Sequence, residues 1–440
     1  MAPSPACRGG LGRGKGRPDS GNRDCHMTDP NRHYDACETR DPEAREQALM
    51  AALAAQVAHA KAKAPYFARL FKDVDPQAVT TRAALAKLPV TRKSDLLEIQ
   101  PKSYPFGGLN ATAPGKLARI FMSPGPIYDP EGHGADFWRF ARGLFAAGFR
   151  AGDIVHNCFS YHLTPAGSMI ESGAHALGCA VVPAGVGQTD LQLRAIADIR
   201  PQGYGGTPSF LKILVDKARE TGTDISSLKK ALVTGEAFLP AHRAELKAAG
   251  IAARQCYGSA DLGLVAYESE AEEGMIVDEG CLVEILRPGT GDPVEADGEV
   301  GEVVVTLFEP DYPLVRFATG DLSAVLPGFS PCGRTNVRLK GWMGRADQVT
   351  KIRGMFVHPV QVSAAVKKHP AVAKARLVVD RIGDADDMLL EVEVQDAAAL
   401  SQEALLDDLR ATTKLRGRVA LLVPGTLPAD AKTIEDRRPV

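Results

Sequence analysis

Short apolar runs alternate with amphipathic stretches through the middle of the chain. Runs typical of buried strands occupy residues 154–159, 180–184, 230–235 and 252–258. Stretches with helical spacing lie at residues 136–148, 164–178, 207–220 and 240–249. Because strands and helices alternate, the pattern predicts an α/β fold with a large domain of mostly parallel sheets. A further amphipathic helix is predicted over residues 43–71.

The pattern changes towards the C-terminus. From about residue 281 the chain has strand–turn–strand units, which predict a β-rich subdomain. Beyond residue 346, two strands and two helices, the helices over 359–368 and 401–415, predict a small α+β domain. Residues 1–26 are rich in Gly and Arg and have almost no large apolar side chains, so we expect a disordered leader. The predicted domains are therefore 27–346 and 347–440.

Composition narrows the class of protein. The 440 residues include 52 Lys plus Arg and 54 Asp plus Glu, a formal net charge of −2. This balance argues against a general nucleic-acid binder, which needs a basic face. No apolar stretch is long enough to span a membrane. The eight cysteines are scattered without a CxxC pair and no secretory signal is visible, so we expect a reduced, cytoplasmic enzyme without nucleic-acid or membrane partners.

Three clusters at predicted strand ends have side chains suited to a nucleotide. Gly235, Glu236 and Ala237 follow the strand KALVT, and ligands of α/β sheets lie beyond the carboxyl ends of strands. Cys256–Asp261 combines an aromatic ring that can stack on a base with a carboxylate that can hold a hard cation. In Arg316–Asp321 an acid follows a glycine turn, and a carboxylate can accept both hydroxyls of a ribose. Each cluster alone is also compatible with an ordinary surface turn.

The order of these clusters resembles that of the AMP-forming superfamily of acyl-CoA synthetases and adenylation domains, and most closely the phenylacetate–CoA ligase family. The resemblance extends from about residue 34 to the C-terminus. Its further motifs are Leu88–Leu96, Gly152–Val155, Gly178–Ala184, Cys332–Thr335, Gly344–Asp347 and Arg353–Pro359. It implies a reaction in which a carboxylate attacks Mg–ATP to give an acyl-adenylate, and the thiol of coenzyme A then displaces AMP. It also implies that the small C-terminal domain is mobile and rotates between these two steps.

The resemblance assigns roles to individual residues of the large domain. Glu236 and Tyr257 would contact the adenine, and Asp321 would bind the ribose with help from Arg345. Asp261 stands where the family has a catalytic glutamate that helps to hold Mg²⁺. The remaining nucleotide-site positions are Gly235, Ala237, Gly258 and Ser259.

Two further assignments concern the C-terminal domain. Asp347 falls at the hinge between the domains. Lys432, in the segment Pro428–Ile434, resembles the catalytic lysine of the first step, whose ammonium would offset charge that develops at phosphorus. An ordinary lysine near the chain end is the alternative, because Ala431 replaces the glycine that precedes the lysine in the family.

The phosphate loop of the family is altered in this chain. The matching stretch, residues 121–131, lacks the threonines and the terminal lysine of a loop that cradles the ATP phosphates. Pro124 and Pro126 cannot donate backbone hydrogen bonds, and Asp129 and Glu131 would repel a triphosphate. We therefore expect altered or weakened use of ATP.

The acyl pocket of the family lies between the phosphate loop and the turn at Gly205–Ser209. Candidate lining residues are Phe159, Tyr161, His162, Ala184 and Gly185. The aromatic side chains favour a planar aromatic acid, which they could stack against. A purely structural core role for Phe159 is equally open.

The leading hypothesis is an AMP-forming ligase that joins an aromatic carboxylic acid to coenzyme A, using ATP and Mg²⁺, with a homodimer expected by family analogy. No zinc is expected, because Cys332 is the only candidate ligand left at a zinc-binding position and one thiolate cannot build a closed site. One alternative is a homologue that binds adenine nucleotide or acyl-CoA but no longer adenylates an acid. Another is an aryl transferase that uses preformed acyl-adenylate or acyl-CoA.

Overall fold

The computed structural model describes residues 32–123, 126–352, 355–382, 385–428 and 431–438. The predicted leader, the tip of the altered phosphate loop at 124–125, Arg353 and Gly354, and residues 429–430 before Lys432 lie outside the described residues. Within the described ranges the chain forms eleven α-helices and twenty-one β-strands, numbered here in chain order.

The helices are α1 (Pro42–Lys63), α2 (Pro65–Leu70), α3 (Arg82–Leu85), α4 (Leu96–Ile99), α5 (Phe140–Ala146), α6 (Ala166–Leu177), α7 (Thr189–Ile199), α8 (Pro208–Thr221), α9 (Pro240–Ala248), α10 (Pro359–Val366) and α11 (Gln402–Thr413). The strands are β1 (Thr91–Arg92), β2 (Arg119–Ser123), β3 (Ile127–Glu131), β4 (Ile154–Asn157), β5 (Ala180–Pro183), β6 (Gly203–Gly206), β7 (Lys230–Val233), β8 (Ala252–Ser259), β9 (Gly263–Tyr267), β10 (Met275–Val277), β11 (Cys281–Leu286), β12 (Gly301–Leu307), β13 (Phe317–Ser323), β14 (Val325–Leu326), β15 (Arg338–Leu339), β16 (Thr350–Ile352), β17 (Met355–Val357), β18 (Val372–Ile382), β19 (Ala385–Val394), β20 (Arg418–Leu422) and β21 (Ile434–Asp436).

The largest sheet contains the predicted α/β core. Its strand order is β14-β15-β10-β9-β8-β7-β6-β4-β5. The pairs between β5 and β8 are parallel, and helices α6 to α9 make the crossover connections between these strands. The pairs from β8 to β14 are antiparallel. The α/β prediction is therefore confirmed, with parallel pairing confined to one half of this sheet.

Two predicted elements differ from the structure for reasons of backbone chemistry. The helix predicted over 43–71 is divided at Pro65, which lacks the N–H that would continue the helical hydrogen bonds. Gly205, placed by the sequence in a turn, belongs to strand β6 instead. A Cβ at Gly205 would lie 2.9 Å from Ile170 of α6, so the glycine allows the helix to pack closely on the strand.

A second sheet forms the predicted β-rich subdomain. Its order is β1-β13-β12-β11, in which β1 runs parallel to β13 and the other pairs are antiparallel. Its apolar side chains pack with those of α1 and α2 in a core that includes Leu53, Phe67, Val305 and Phe317. Because β13 contains Asp321, this core fixes the backbone of the predicted ribose ligand.

The C-terminal residues have a core of their own. Strands β18 to β21 form a sheet of order β20-β19-β18-β21. Val362 of α10 and Leu409 of α11 pack in the same cluster as Leu377 and Leu390 of the sheet. The helices predicted over 359–368 and 401–415 correspond to α10 and α11, as expected for a small α+β unit.

Two further features bear on the environment of the chain, namely the apolarity of its helices and the state of its cysteines. Across the ranges given above, no helix is long and apolar enough to cross a membrane. Free, buried thiols are present at Cys158, Cys179, Cys256, Cys281 and Cys332. Cys37 is disulfide-bonded, which departs from the expectation of a wholly reduced chain.

Candidate active site

The turn after β7 brings three predicted nucleotide-site residues to the carboxyl edge of the large sheet. Gly235 has a φ of +87°, a left-handed conformation that favours glycine. Gly235, Glu236 and Ala237 are all exposed, so a ligand can reach them. The Oε1 atom of Glu236 accepts the backbone N–H of Ser209, 2.7 Å away, in the first turn of α8, where a negative charge is stabilised by the helix dipole. A contact from Glu236 to adenine therefore depends on its other oxygen or on its backbone.

Asp321 is the centre of the predicted ribose site. Its Oδ2 accepts a hydrogen bond from the hydroxyl of Tyr257 at 2.9 Å, and its Oδ1 accepts hydrogen bonds from Arg345 Nη1 and Trp342 Nε1, both at 3.1 Å. Burial and the charge of Asp321 raise the pKa of Tyr257, so this hydroxyl keeps its proton at neutral pH. A Cβ at Gly320 would lie 2.5 Å from the guanidinium of Arg345, so only glycine leaves room for it. The structure thus brings Tyr257, Asp321 and Arg345 together.

Asp261 lies in a neighbouring, buried group of charges. Its Oδ2 accepts hydrogen bonds from Lys93 Nζ at 2.6 Å and from Ser259 Oγ at 3.3 Å. Burial lowers the pKa of Lys93, but the charge of Asp261 and its hydrogen bond outweigh this effect, so the pKa is raised and the ammonium stays protonated. The other oxygen of Asp261, Oδ1, accepts no hydrogen bond from a described residue.

Asp129, on strand β3, belongs to the same group. It is fully buried, and within the described part of the chain neither of its carboxylate oxygens has a hydrogen-bond partner. Burial and the charge of Asp261 raise the pKa of Asp129 well above its usual value, and the nearby Ser123 hydroxyl and Lys93 offset this only in part. The buried hydroxyl of Tyr312 also has no partner among these residues, and burial together with the two carboxylates raises its pKa.

The altered phosphate loop is a β-hairpin. Strands β2 and β3 pair from Arg119 opposite Glu131 to Ser123 opposite Ile127. Glu131, which was expected to repel a triphosphate, forms an ion pair with Arg119 at 3.0 Å, so its charge is compensated. Lys93, in the segment after β1, interacts electrostatically with Asp129 of this hairpin.

The predicted acyl-pocket residues lie after strands β4 and β5. The ring of Phe159 is buried in the core, and a Cβ at Gly235 would lie 3.7 Å from it. Phe159 is therefore both a core residue and a neighbour of the nucleotide-site turn. His162 is exposed and Ala184 is half-buried.

Asn157, at the end of β4, links two other acyl-pocket candidates. Its Nδ2 donates a hydrogen bond to the hydroxyl of Tyr161 at 2.7 Å, and its carbonyl accepts the N–H of Gly185 at 3.0 Å. The hydroxyl of Tyr161 in turn donates to Glu171 Oε2 at 2.8 Å. These bonds fix the ring of Tyr161 and the turn at Gly185 relative to each other.

Lys432 lies with the C-terminal sheet. It is exposed and precedes β21, which pairs with β18. The adjacent Thr433 donates its N–H to Gln348 Oε1 at 2.9 Å. This bond ties the lysine segment to the 3-10 turn Ala346–Gln348, which contains Asp347. Only the backbone of Asp347 belongs to the described part of the chain.

Cys332, the remaining zinc-ligand candidate, is surrounded by hydrogen-bonding groups. Its sulfur lies 3.0 Å from Ser330 Oγ and 3.5 Å from Arg334 Nη1. Burial raises the pKa of Cys332, but hydrogen bonds from Ser269, Ser330 and Arg334 lower it overall. In the part of the chain that is described, no three His, Cys, Asp or Glu side chains are arranged to hold a metal ion.

Sequence reasoning missed Lys93, Trp342 and Asn157. Lys93 is hydrogen-bonded to Asp261 although the two residues are 168 positions apart in the chain, so no local motif contains both. Trp342 did carry a signal, because it is one of two tryptophans in the chain and lies three residues before Arg345.

Comparisons with known proteins identify the family. The model of the AMP-binding enzyme family matches residues 136–306. Phenylacetate-coenzyme A ligase of Aromatoleum evansii is 34% identical over 414 residues, which cover 87% of this chain and 92% of the relative. The chain belongs to the phenylacetate-CoA ligase family. It is therefore an AMP-forming acid–CoA ligase, an enzyme that forms a CoA thioester through an acyl-adenylate.

A solved structure has the same fold. An open conformation of a 2-hydroxyisobutyryl-CoA ligase, in complex with 2-HIB-AMP and CoA, superposes with a TM-score of 0.81 at 25% identity, covering 92% of this chain and 94% of that chain. The same ligase in its thioesterification state superposes with a TM-score of 0.67 at 25% identity, covering 93% of this chain and 92% of that one. The arrangement described here is therefore closer to the open conformation.

Proposed function

We propose that this ligase activates an aromatic carboxylic acid and transfers it to coenzyme A. The observation that carries the proposal is the position of Phe159, whose ring lies beside Gly235 of the nucleotide-site turn. An acyl group held there would be adjacent to a nucleotide at the edge of the sheet, and Phe159 and Tyr161 would offer aromatic surface to it. The relative from A. evansii is a phenylacetate-coenzyme A ligase, which supports the same substrate class.

In this proposal the groups around Asp321 bind the adenosine. Asp321 accepts the ribose hydroxyls, Arg345 orients that carboxylate, and Tyr257 and Glu236 contact the adenine. Gly235, Ala237, Gly258 and Ser259 form the surrounding turns. The bond between Asp321 and Arg345 at 3.1 Å supports this arrangement, because it holds the carboxylate in place before the nucleotide arrives.

Mg²⁺ is assigned to Asp261. The residues fit the ion, because Oδ1 of this buried carboxylate lacks a partner among the described residues and hard cations prefer carboxylate oxygens. When bound, the ion would supply positive charge to the phosphates of ATP. Lys93 and Ser259 fix the other oxygen of Asp261 and so set the direction in which Oδ1 points.

Lys432 is proposed to serve the first step, and Asp347 is proposed as the hinge. Because Thr433 is hydrogen-bonded to the turn that contains Asp347, a rotation about this turn would move the lysine segment relative to the large domain. The better match to an open than to a thioesterification state of a related ligase supports such alternative arrangements.

The hairpin β2–β3 bears on the rate of the first step. It stands at the stretch that matches a loop rich in phosphate-binding donors in the family, and adenylation by this ligase is therefore proposed to be slow. The formation of the acyl-adenylate is the step to measure.

Acid-dependent exchange of labelled pyrophosphate into ATP tests this step. The panel comprises aromatic acids and short-chain and 2-hydroxy acids, because the similar solved structure is a 2-hydroxyisobutyryl-CoA ligase. Thioester products with coenzyme A are then detected by mass spectrometry. We expect exchange and thioester formation with aromatic acids. Exchange with aliphatic acids only would refute the aromatic substrate, and nucleotide binding without exchange for any acid would refute acyl-adenylate formation by this chain.

A further inference from the structure

Asp129, Asp261 and Tyr312 interact electrostatically and carry four buried oxygen atoms without a well-formed hydrogen bond. Two of these atoms belong to Asp129, one is Oδ1 of Asp261 and one is the hydroxyl of Tyr312. Ser123 lies close to Asp129 and Gln100 lies close to Tyr312, but neither completes a hydrogen bond of good geometry. Asp129, Asp261 and Tyr312 are 0%, 2% and 1% exposed, respectively. Buried polar atoms are nearly always hydrogen-bonded, so unpartnered ones point to a bound water, an ion or a functional role.

One cationic side chain serves this group. Lys93 forms its ion pair with Asp261 Oδ2 at 2.6 Å. Within the described residues it makes no hydrogen bond to Asp129, because neither oxygen of that carboxyl group has a partner. The oxygens of Asp129 and Oδ1 of Asp261 are therefore left for a ligand that accepts oxygen donors, which a hard divalent cation does.

We propose that Asp129 and Asp261 together hold the divalent cation, so that the hairpin β2–β3 contributes a metal ligand in place of a phosphate-binding loop. Protein sites for Mg²⁺ commonly use one or two carboxylates, with water and nucleotide phosphates completing the coordination. A pair of aspartates is therefore sufficient. This agrees with the finding that no three acidic, His or Cys side chains converge in the described ranges.

The proposal also accounts for two features of the sequence that are otherwise unfavourable. Asp261 is shorter by one methylene than the glutamate of the family, and a second carboxylate opposite it compensates for the shorter reach. Asp129 lies in a stretch that has lost phosphate-binding side chains, so an aspartate there would bind the phosphates through the metal rather than repel them. The inference rests on the proposed function for the use of the metal, but its test needs neither ATP nor acid.

Binding of Mn²⁺ alone to the full-length protein, measured by electron paramagnetic resonance, tests the proposal. The wild type should bind Mn²⁺ saturably, and its melting temperature should rise with Mn²⁺ concentration, because a ligand that binds only the folded state stabilises it. Asp129→Asn, which keeps the shape of the side chain, should weaken binding by about tenfold or more, since even outer-sphere changes at metal sites cost that much. It should also abolish the dependence of the melting temperature on Mn²⁺.

Glu131→Gln is the matched control. Glu131 lies on the same strand and is also buried, but its carboxylate is paired with Arg119, so this variant should bind Mn²⁺ as the wild type does. No saturable binding to the wild type, unchanged binding to Asp129→Asn, or equal loss in both variants would each overturn the proposal. If Mn²⁺ binds as expected but the wild type shows no pyrophosphate exchange, only the proposed function is refuted. If the wild type shows exchange and Asp129→Asn binds Mn²⁺ as the wild type does, only this inference is refuted.

Discussion

Replacing Trp342 with phenylalanine should strengthen the binding of AMP. The reason is the number of hydrogen bonds at Asp321. A carboxylate has about four lone-pair sites, and Tyr257, Trp342 and Arg345 already donate to three of them. A ribose diol donates two hydrogen bonds, so one of the three donors has to leave before both hydroxyls can bind.

Trp342 is the donor that is released at the lowest cost. Arg345 carries a charge opposite to that of Asp321, and Tyr257 is held in strand β8, whereas the indole is neutral and Trp342 is 52% exposed. A hydrogen bond to a charged group contributes about 1.5–3 kcal/mol when it is shielded from water. Because water competes at this exposed position, we expect roughly 1 kcal/mol, or about a fivefold gain in affinity for Trp342→Phe.

Isothermal titration calorimetry with AMP measures the affinity, and tryptophan fluorescence reports the displacement directly. The only other tryptophan, Trp138, is buried in the core, so the change in emission on binding should disappear in Trp342→Phe. Phe329→Leu, at an exposed aromatic residue, should behave as the wild type. Asp321→Ala should lose roughly 1.5–3 kcal/mol of binding free energy.

An unchanged affinity in Trp342→Phe would refute the argument from lone pairs. A weaker affinity would show that the indole contacts the nucleotide instead of competing with it. An unchanged affinity in Asp321→Ala would show that the ribose does not bind at this carboxylate.

Much of the fold could be predicted because local patterns determine it. The parallel half of the large sheet alternates apolar strands with helices of the right spacing, and each helix found between β4 and β8 is a crossover. Strand β6 was harder, because Gly-Tyr-Gly-Gly lacks the β-branched residues that mark a strand. Its glycines are required by packing against Ile170 and Phe149, which are distant in the sequence.

The candidate site residues also fall into those that a local sequence pattern indicates and those that depend on distant contacts. Asp321 and Arg345 could be proposed from the short motifs Arg316–Asp321 and Gly344–Asp347, but the structure places Asp321 within strand β13 rather than in a glycine turn, and it pairs Asp321 with Arg345 in a β-bridge. Lys93 and Asp129 could not be proposed from such motifs, because their importance depends on burial and on the charge of Asp261, which come from segments far apart in the chain. The sequence around Asp129 is the same whether its carboxylate is exposed in a loop or buried in a hairpin, and only the structure shows that it is buried.

Two further predictions concern the C-terminal lysine and a buried acid. Lys432→Ala should reduce pyrophosphate exchange by about 100- to 1,000-fold but spare thioester formation from a synthetic acyl-adenylate, because no phosphoryl charge develops in the second step; equal loss in both assays would contradict this. Asp136 accepts the N–H of Ala141 at 3.0 Å, and burial raises its pKa from 3.8 to about 7. Since the folded state binds this proton more tightly than the unfolded chain, the stabilisation is complete below about pH 4 and is lost as the pH rises through about 7. Asp136→Asn, which tolerates the φ of +52°, should therefore be more stable than the wild type at about pH 8, by up to about 4 kcal/mol, and the gain should vanish at about pH 4. Thermal melts of both proteins across this pH range measure the difference in stability. If the melting temperatures of the wild type and the variant change with pH in parallel, Asp136 stays ionised in the folded state and the prediction is wrong.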